Sequence, residues 1–436
     1  MTGLADDLAA LQRLPTVSAD DSCSPALRQA EIWLSDRLAS LGAQRILMPG
    51  PVVAAERKGD PAAPTVLIYG HYDVVPAGPR DRWARPPYAA VRTGRTLWGR
   101  GASDDKGPVV AGLYAVEKLT APGRRVTLKF LYDGEEEIGS PTLSRLSRRL
   151  HGWLSDVDAV LICDTEATET GRPTLTCSLR GGLTLDLTAT GSGRTLHAGR
   201  YGGAVPNPAQ ALAMVIASLH KHDGTVAVPG FYEGVRLPAS IVTADHEARL
   251  APVATSGWGE PCRTATERVT TRPAIVVTSL RTSPAPWHAI PAKATARINI
   301  RLVPGQQPER ITGLLITHLT ANRPPGIQLR LDPLIQTGPW QLTDVRHPAI
   351  QAARAAVKAT WGSEPALVRS GGSIAAVPLL ARLTPQAALL LLGFTLPSDH
   401  AHSVNEHVDL TRLARAANTL AGLVDSLGAT RPFVST

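Results

Sequence analysis

The sequence predicts an α/β protein in which a mostly parallel sheet is flanked by helices, with an α+β sandwich inserted into it. Three observations lead to this fold class. Apolar runs of strand length alternate with helical patterns in the early part of the chain. From Arg180 the strands alternate apolar and polar residues, which is typical of a sheet with one solvated face. From Pro348 the buried runs return. We therefore expect a main domain over residues 1–181 and 337–436, and an inserted domain over 182–336.

The first part of the chain begins with helices and continues with buried strands. Leucines recur at helical spacing over residues 3–14 and 25–41. A helix is also predicted over 109–118, with Pro108 in its first turn. Three short apolar runs predict buried strands: 64–70, 126–132 and 157–162.

The inserted and last parts follow the same logic. In the insert we predict strands at 183–189, 274–278, 294–303 and 327–331, and helices at 207–220 and 309–319. Ala211, Met214, Val215 and Leu219 form the apolar face of the first of these helices. Residues 191–208 are predicted to be a loop and 223–272 to be irregular. The last part contains a helix at 348–361, a strand at 387–393 and a closing helix at 410–427.

Composition excludes several classes of protein. A chain of 436 residues with 43% hydrophobic residues can bury a large core. Four scattered cysteines suggest neither a disulfide framework nor a sulfur-ligated zinc site. The net charge of +8 is dispersed and aromatic residues make up only 4%, so we expect no nucleic-acid partner. No apolar run approaches the ~20 residues of a membrane span, and the N-terminus lacks a basic segment, so we expect a cytoplasmic protein and no membrane contact.

Polar residues collect where the predicted buried strands end. The strand at 126–132 is followed by Asp133 and by three glutamates, Glu135, Glu136 and Glu137, which repel one another. Taken alone, this stretch could equally be a cation site or the acidic start of a helix near Pro141, whose dipole Glu136 and Glu137 would favour.

The other strand ends favour the cation site. His71 and Asp73 follow the strand at 64–70, and Asp164 follows that at 157–162. Asp104 lies in the loop before the helix at 109–118, where the alternative is an N-cap by Ser103 or Asp104. Because sites in open α/β sheets form at the carboxyl ends of the strands, this repetition predicts a metal site.

The candidate ligands carry oxygen and nitrogen donors, which suits zinc or another first-row divalent ion such as Mn²⁺ or Co²⁺. Two histidines and three carboxylates exceed the needs of one catalytic zinc, so we expect two ions ~3.5–4 Å apart that share a carboxylate. Glu136 is then placed to act as general base on a bridging water. The predicted ligands are His71, Asp104, Glu137, Asp164 and His402.

Four motifs lie in order along nearly the whole chain: GHYDVVP at 70–76, GRGASDDKG at 99–107, EEIGS at 136–140 and HSVNE at 402–406. Together they resemble the dinuclear zinc exopeptidase family. This family includes carnosinase-like dipeptidases, glutamate carboxypeptidase, aminoacylase and the acetylornithine and succinyl-diaminopimelate deacylases. The residues of the motifs are most similar to those of the dipeptidase branch.

The resemblance implies a zinc-peptidase-type catalytic domain with an inserted lid and dimerisation domain, and therefore a homodimer. It implies that His71 and Asp164 hold one zinc, that Glu137 and His402 hold the other, and that Asp104 bridges them. Asp73 would orient His71, and Glu136 would be the base. The motif around His197 resembles a lid motif whose histidine polarises the scissile carbonyl, in several members across the dimer interface.

The resemblance also implies a subsite for a free carboxylate. Arg301 resembles the lid arginine that binds this group, and the loop of Gly371, Gly372 and Ser373 resembles the Gly-Gly-Ser loop that contacts the same end of the substrate; Asn207 is assigned to the substrate contacts as well. Two positions depart from the family pattern. Ser370 replaces a glutamate, and a commonly Gly-rich lid loop contains Trp287 and His288, which we interpret as lid packing, with substrate contact as the alternative.

The resulting prediction is a metal-dependent hydrolase that cleaves the amide bond of a dipeptide or short peptide next to a free carboxylate. An N-acyl-amino-acid deacylase and a biosynthetic amidohydrolase acting on a modified peptide are the alternatives among enzymes. A scaffold without chemistry is disfavoured, because every expected ligand and the base are present.

Overall fold

The computed structural model describes residues 2–119, 126–235, 257–342 and 344–429. The chain divides into two compact units. The first unit consists of Met1–Cys177, Leu342–Val368 and Ala376–Thr436, and the second of Ser178–Gln341 and Arg369–Ala375.

The described helices, in chain order, are α1 (Thr2–Gln12), α2 (Ser24–Ser40), α3 (Lys106–Glu117), α4 (Pro141–Arg145), α5 (Ser147–Leu154), α6 (Ala198–Tyr201), α7 (Pro208–Ala217), α8 (Ala265–Thr270), α9 (Pro308–Ala321), α10 (Pro348–Trp361), α11 (Ala376–Leu383) and α12 (Leu410–Ala429). The described strands are β1 (Gln44–Ile46), β2 (Val52–Arg57), β3 (Thr65–His71), β4 (Val91–Thr93), β5 (Thr96–Trp98), β6 (Thr127–Asp133), β7 (Ala159–Glu166), β8 (Thr174–Leu179), β9 (Gly181–Thr190), β10 (Leu196–His197), β11 (Ala274–Thr282), β12 (Ala289–Ile290), β13 (Lys293–Leu302), β14 (Gln328–Thr337), β15 (Trp340–Gln341), β16 (Ala366–Ser370), β17 (Ala388–Thr395) and β18 (His407–Asp409).

The first unit is built on a sheet whose centre is parallel. Its strands follow the order β1-β2-β6-β3-β7-β17-β8. The pairs β6–β3, β3–β7 and β7–β17 are parallel, whereas β1–β2, β2–β6 and β17–β8 are antiparallel. Every residue of β3 and of β17 is buried, as expected for central strands covered on both faces. The predicted α/β class with a mostly parallel sheet is confirmed.

Helices flank this sheet. On one face, α1, α2, α3, α10 and α12 bury their apolar residues in a single core with alternate residues of β3 and β6, among them Val66, Ile68 and Phe130. Lys129, which points to the opposite face because side chains alternate along a strand, donates to the carbonyl of Trp153 in α5. The carboxyl ends of the parallel strands are left for the site.

The second unit contains an antiparallel sheet of order β11-β13-β9-β14. One face of this sheet packs on α7 and α9; there Leu185 of β9 lies opposite Ile298 of β13 in the core. Polar side chains occupy the other face, where Arg297 binds Asp186 through two hydrogen bonds of 2.9 and 3.0 Å. The alternation in the sequence therefore predicted a two-layer arrangement of the kind observed.

Several local predictions were wrong. Residues 191–208 are not all loop, because β10 and α6 lie within them. Residues 223–272 contain α8, while 236–256 lie outside the described residues. Met214 is 61% exposed and does not belong to the apolar face of α7.

None of the described helices is long and apolar enough to cross a bilayer.

Candidate metal centre

The predicted metal ligands all lie in the first unit. His71 is the last residue of β3, and Glu137 lies in a 3₁₀ turn that follows β6. His402 follows β17, and Asp104 lies in the loop before α3. Asp164 lies within β7 rather than beyond it, because β7 extends to Glu166. Since β6, β3, β7 and β17 are neighbours and parallel, their carboxyl ends meet at one edge of the sheet.

Asp104 lies between two histidines. Its Oδ1 is 2.9 Å from Nε2 of His71, and its Oδ2 is 2.9 Å from Nε2 of His402. On one side, Oδ1 of Asp164 is 3.9 Å from Nε2 of His71. On the other side, Oε1 of Glu137 is 3.0 Å from Nε2 of His402. One oxygen of Asp104 therefore faces the side chains of His71 and Asp164, and the other faces those of His402 and Glu137.

The donor set fits divalent metal ions. Donors bound tetrahedrally to one ion at ~2.0–2.1 Å lie about 3.3 Å from one another. The four separations above, from 2.9 to 3.9 Å, lie on either side of that value. Donor atoms of His71, Asp104 and Glu137 lie within 4.8 Å of one another. Imidazole nitrogens and carboxylate oxygens are the ligands that zinc and similar first-row ions take in catalytic sites.

Asp73 contacts the ring of His71 and the backbone of the turn that carries Glu137. Its Oδ1 lies 3.3 Å from Nδ1 of His71, and its carboxylate accepts hydrogen bonds from the backbone N–H groups of Glu136 and Glu137, each at 3.1 Å. The hydroxyl of Ser18 donates to the same carboxylate at 2.6 Å. Asp73 thus orients the ring of His71 and fixes the turn that carries Glu137.

The electrostatics of the centre favour added positive charge. The hydrogen bonds to Asp104 and Glu137 raise the pKa of His402 to about 11. Burial lowers the pKa of His71, but hydrogen bonds to Asp104 and Asp73 more than offset this, so its pKa lies well above the ordinary value. Burial and then the charge of Asp104 raise the pKa of Asp164. The crowded carboxylates thus attract protons, and divalent cations would neutralise the same negative charge.

The three glutamates after β6 differ in their contacts. Glu135 accepts a hydrogen bond of 3.0 Å from the backbone N–H of Thr142, in the first turn of α4. The helix-start interpretation therefore applies to Glu135, and not to Glu136 and Glu137 as the sequence suggested. Glu136 is half-buried and adjoins Glu137, whose carboxylate contacts His402.

The alternative that Ser103 or Asp104 caps α3 is wrong. The helix begins at Lys106, and the residue at its N-cap, Asp105, makes no capping hydrogen bond with its side chain. Instead, Oδ2 of Asp105 accepts from the backbone N–H of His71 at 3.1 Å, and burial raises the pKa of Asp105 to about 8. The peptide bond between Asp104 and Asp105 is cis.

The second unit brings together the residues predicted to bind a carboxylate. Arg301 donates from Nη1 to the hydroxyl of Ser373 at 3.2 Å. Sequence reasoning missed Arg180, which donates from Nε to the carbonyl of Gly371 at 3.0 Å and from its backbone N–H to that of Gly372 at 3.1 Å. Burial and then the charge of Arg301 lower the pKa of Arg180 to about 9. Two neighbouring, partly buried guanidinium groups form a site suited to an anion.

In the same unit, the hydroxyl of Ser370 accepts from the backbone N–H of Gly372 at 3.0 Å. It helps to fix the loop. The signal that could have revealed Arg180 is its position directly before Gly181 and Gly182, since adjacent glycines permit another segment to approach closely. An added Cβ at Gly182 would lie 3.4 Å from Oγ of Ser373.

The remaining predicted residues of the second unit lie at the surface or at a helix end. His197 is exposed, and its Nδ1 accepts from the backbone N–H of Gly199 at 3.1 Å. Asn207 is the N-cap of α7 and accepts from Ala209 at 2.9 Å. Trp287 is 98% exposed and His288 is exposed as well, so their interpretation as packing residues is wrong within this unit.

Known proteins resemble this chain over most of its length. The Cys-Gly metallodipeptidase of Candida albicans is 29% identical, over 95% of this chain and 92% of its own. The beta-Ala-His dipeptidase of Rattus norvegicus is 28% identical, over 88% of this chain and 85% of its own. The solved structure of the dipeptidase Dug1p from Saccharomyces cerevisiae matches with a TM-score of 0.84 at 26% identity, covering 98% of this chain and 96% of its own.

These matches confirm the resemblance to the metallopeptidases, nearest their dipeptidase branch. Residues 67–426 match the sequence profile of peptidase family M20/M25/M40, which is well over half of the chain. The protein is therefore an enzyme, a metal-dependent peptidase, and it belongs to peptidase family M20/M25/M40.

Proposed function

We propose that this enzyme hydrolyses the amide bond of a dipeptide or short peptide next to a free carboxylate, with two zinc ions at its centre. The observation that carries the proposal is the carboxylate of Asp104, whose two oxygens lie 2.9 Å from His71 and 2.9 Å from His402. A carboxylate whose two oxygens each face a histidine can be shared by two adjacent ions. Relatives named for Cys-Gly and beta-Ala-His dipeptides support the substrate class.

In this proposal, His71 and Asp164 hold one ion, Glu137 and His402 hold the other, and Asp104 is shared. Mn²⁺ and Co²⁺ suit the same donors. When bound, the ions would polarise the substrate carbonyl and lower the pKa of a water molecule. Asp73 keeps the ring of His71 and the turn of Glu137 in place while the ligands bind.

Glu136 is the proposed general base. It adjoins the ligand Glu137, and its backbone is held by Asp73. A half-buried carboxylate in this position can take a proton from the attacking water and return it to the leaving amine. Glu135 is engaged with the backbone N–H of Thr142, and Glu137 contacts His402, which supports Glu136 as the base.

The residues of the second unit are proposed to select the substrate. Arg301, with the hydroxyl of Ser373 and the backbone of Gly371 and Gly372, would bind the free carboxylate and so restrict cleavage to a chain end. His197 would polarise the scissile carbonyl. The use of this unit for dimerisation and as a lid, and the cytoplasmic location, stay predictions; the mass of the native protein and cell fractionation would check the dimer and the location.

The test compares Glu136→Gln with Glu135→Gln. We expect both variants to retain two zinc ions per subunit by elemental analysis. E136Q should lose about 10²–10⁴-fold in kcat on dipeptides, the usual cost of removing a general base. E135Q should keep its activity within a few-fold. Turnover by E136Q within about tenfold of the parent enzyme would refute the assignment of the base.

A substrate panel separates the competing reactions. Dipeptides, the same dipeptides with a C-terminal amide, and N-acyl amino acids would be assayed side by side after EDTA treatment and zinc add-back. The proposal expects the highest kcat/KM for dipeptides with a free carboxylate. A preference for N-acyl amino acids would support the deacylase alternative instead.

A further inference from the structure

Glu406, which closes the HSVNE motif, is a fully buried carboxylate that the mechanism above does not use. It accepts hydrogen bonds from five donors. Its Oε2 accepts from Nη1 of Arg100 at 2.7 Å and from the backbone N–H of Gly101 at 2.9 Å. Its Oε1 accepts from the backbone N–H and hydroxyl of Ser103 at 2.9 and 3.1 Å, and from the backbone N–H of Asp104 at 3.2 Å.

These contacts form a cradle of donors around one anion. Backbone N–H groups that converge in a tight loop create a site for negative charge, and here the occupant is a side chain of the same protein. Arg100 is itself only 2% exposed, so the ion pair is buried together with the loop. A buried carboxylate with all its partners is tolerated, whereas the same cradle without its acceptor leaves several N–H groups unsatisfied.

Glu406 joins two segments that each carry a candidate ligand. One is the loop that ends at Asp104, whose backbone N–H donates to Glu406. The other is the segment 402–406, which begins with His402. The side chains of Asp104 and His402 meet at 2.9 Å, at the point where the two segments come together. The backbone N–H of Gly99 donates to the carbonyl of Glu406 at 2.9 Å, so the main chains are joined as well.

We propose that Glu406 is a positioning residue that holds the loop of Asp104 against the segment of His402 and thereby sets the affinity of the centre for its metal ions. The inference rests on the proposed function in that it takes Asp104 and His402 as metal ligands. It does not depend on the identity of the substrate.

An amide at this position cannot accept all the hydrogen bonds that the carboxylate of Glu406 accepts. Both oxygens of Glu406 face donors, so the amino group of a glutamine side chain would meet either the donors on Oε2 or those on Oε1. In either orientation at least one backbone N–H loses its acceptor. Glu406→Gln therefore changes the size of the side chain little, yet it breaks the link at one oxygen. Glu406→Asp keeps the charge and shortens the reach.

A matched control exists at Glu31, another buried glutamate of the first unit. It is 5% exposed and accepts from Nη2 of Arg45 at 2.6 Å. Glu31→Gln disturbs the ion pair between this buried glutamate of α2 and the exposed Arg45 of β1, and neither residue is a predicted metal ligand. The comparison therefore separates a loss of general stability from an effect on the metal centre.

The experiment measures zinc affinity of the metal-free full-length proteins by competition with a chelator, and thermal unfolding of the same metal-free samples. We expect E406Q to bind zinc about 10–100-fold more weakly than the parent protein, the usual cost of losing a group that orients a ligand. E31Q should bind zinc as the parent does. E406D should lie between E406Q and the parent. High zinc concentrations should restore dipeptide turnover in E406Q.

Zinc affinity of E406Q within about threefold of the parent would overturn the proposal, even if its melting temperature fell. If E406Q does not fold, E406D is measured in its place by the same criterion. If neither variant folds in saturating zinc, Glu406 serves the fold alone and the proposal is wrong. A parent protein that binds two zinc ions but cleaves no dipeptide would refute the proposed substrate and leave this inference intact.

Discussion

Replacing Asp73 with asparagine tests how the turn of Glu136 and Glu137 is held. Each oxygen of Asp73 accepts a backbone N–H in this turn: Oδ1 from Glu136 and Oδ2 from Glu137, both at 3.1 Å. Oδ1 also lies 3.3 Å from Nδ1 of His71. An asparagine side chain has one oxygen and one amino group. Whichever way it turns, Asp73→Asn leaves one of the two backbone N–H groups facing another donor.

The expected loss follows from that single broken contact. A hydrogen bond to a charged group contributes about 1.5–3 kcal/mol. At about 1.4 kcal/mol for each factor of ten, this corresponds to roughly 10- to 150-fold in rate. Because the affected N–H belongs to the proposed base or to a proposed ligand, the loss should appear in kcat at saturating zinc.

The assay measures kcat for a dipeptide at saturating zinc, alongside the free energy of unfolding of the metal-free protein. Asp158→Asn is the control. Asp158 also accepts a backbone N–H, that of Thr65 at 2.8 Å, but it lies at the opposite end of β3 and β7. D158N keeps an oxygen for Thr65 and should retain kcat within about twofold. If D73N also kept kcat within threefold of the parent, the conclusion that Asp73 positions the turn of Glu136 and Glu137 for catalysis would be refuted.

Three further predictions concern other residues. Arg301→Met should raise KM for a dipeptide about 10–100-fold, but not KM for its C-terminal amide, because a charged hydrogen bond contributes about 1.5–3 kcal/mol; equal effects on both substrates would contradict this. Gly371→Ala should also raise KM without changing zinc content, because the new Cβ would lie 2.4 Å from the carbonyl of Val269 and displace the loop. Glu135→Ala should lower the free energy of unfolding by about 1 kcal/mol in denaturant titrations, because Thr142 loses its acceptor, while kcat changes less than threefold.

Much of the fold could be predicted because its signals are local. The apolar runs that became β3, β6, β7 and β17 have strand length, and the runs in the insert alternate with period two. A continuous apolar run indicates a strand buried on both faces, as in the first unit, whereas alternation indicates a strand buried on one face, as in the second. The two units can therefore be told apart from the sequence alone. Strand ends were less certain. Asp164 was placed beyond β7 because the sequence there becomes polar, whereas hydrogen bonds to β17 continue the strand as far as Glu166.

The surface of the insert was harder to predict. Met214 fits the helical spacing of α7 but is exposed, because the sheet covers only part of the helix. Trp287 was interpreted as a lid packing residue, yet it is 98% exposed. Periodicity identifies which residues share a face, but only the neighbouring elements decide how much of that face is covered.

The sequence by itself determined the type of chemistry. It placed histidines and carboxylates, without thiolates, near the ends of buried strands, and parallel strands bring their carboxyl ends to one edge. The tertiary structure alone decided the contacts among them. The link between Glu406 and Asp104, and the clamp of Arg180 on Gly371, join segments that are far apart in sequence. No local pattern encodes such pairs, because a hydrogen bond depends on distance and direction in space, which the packing of the whole unit sets.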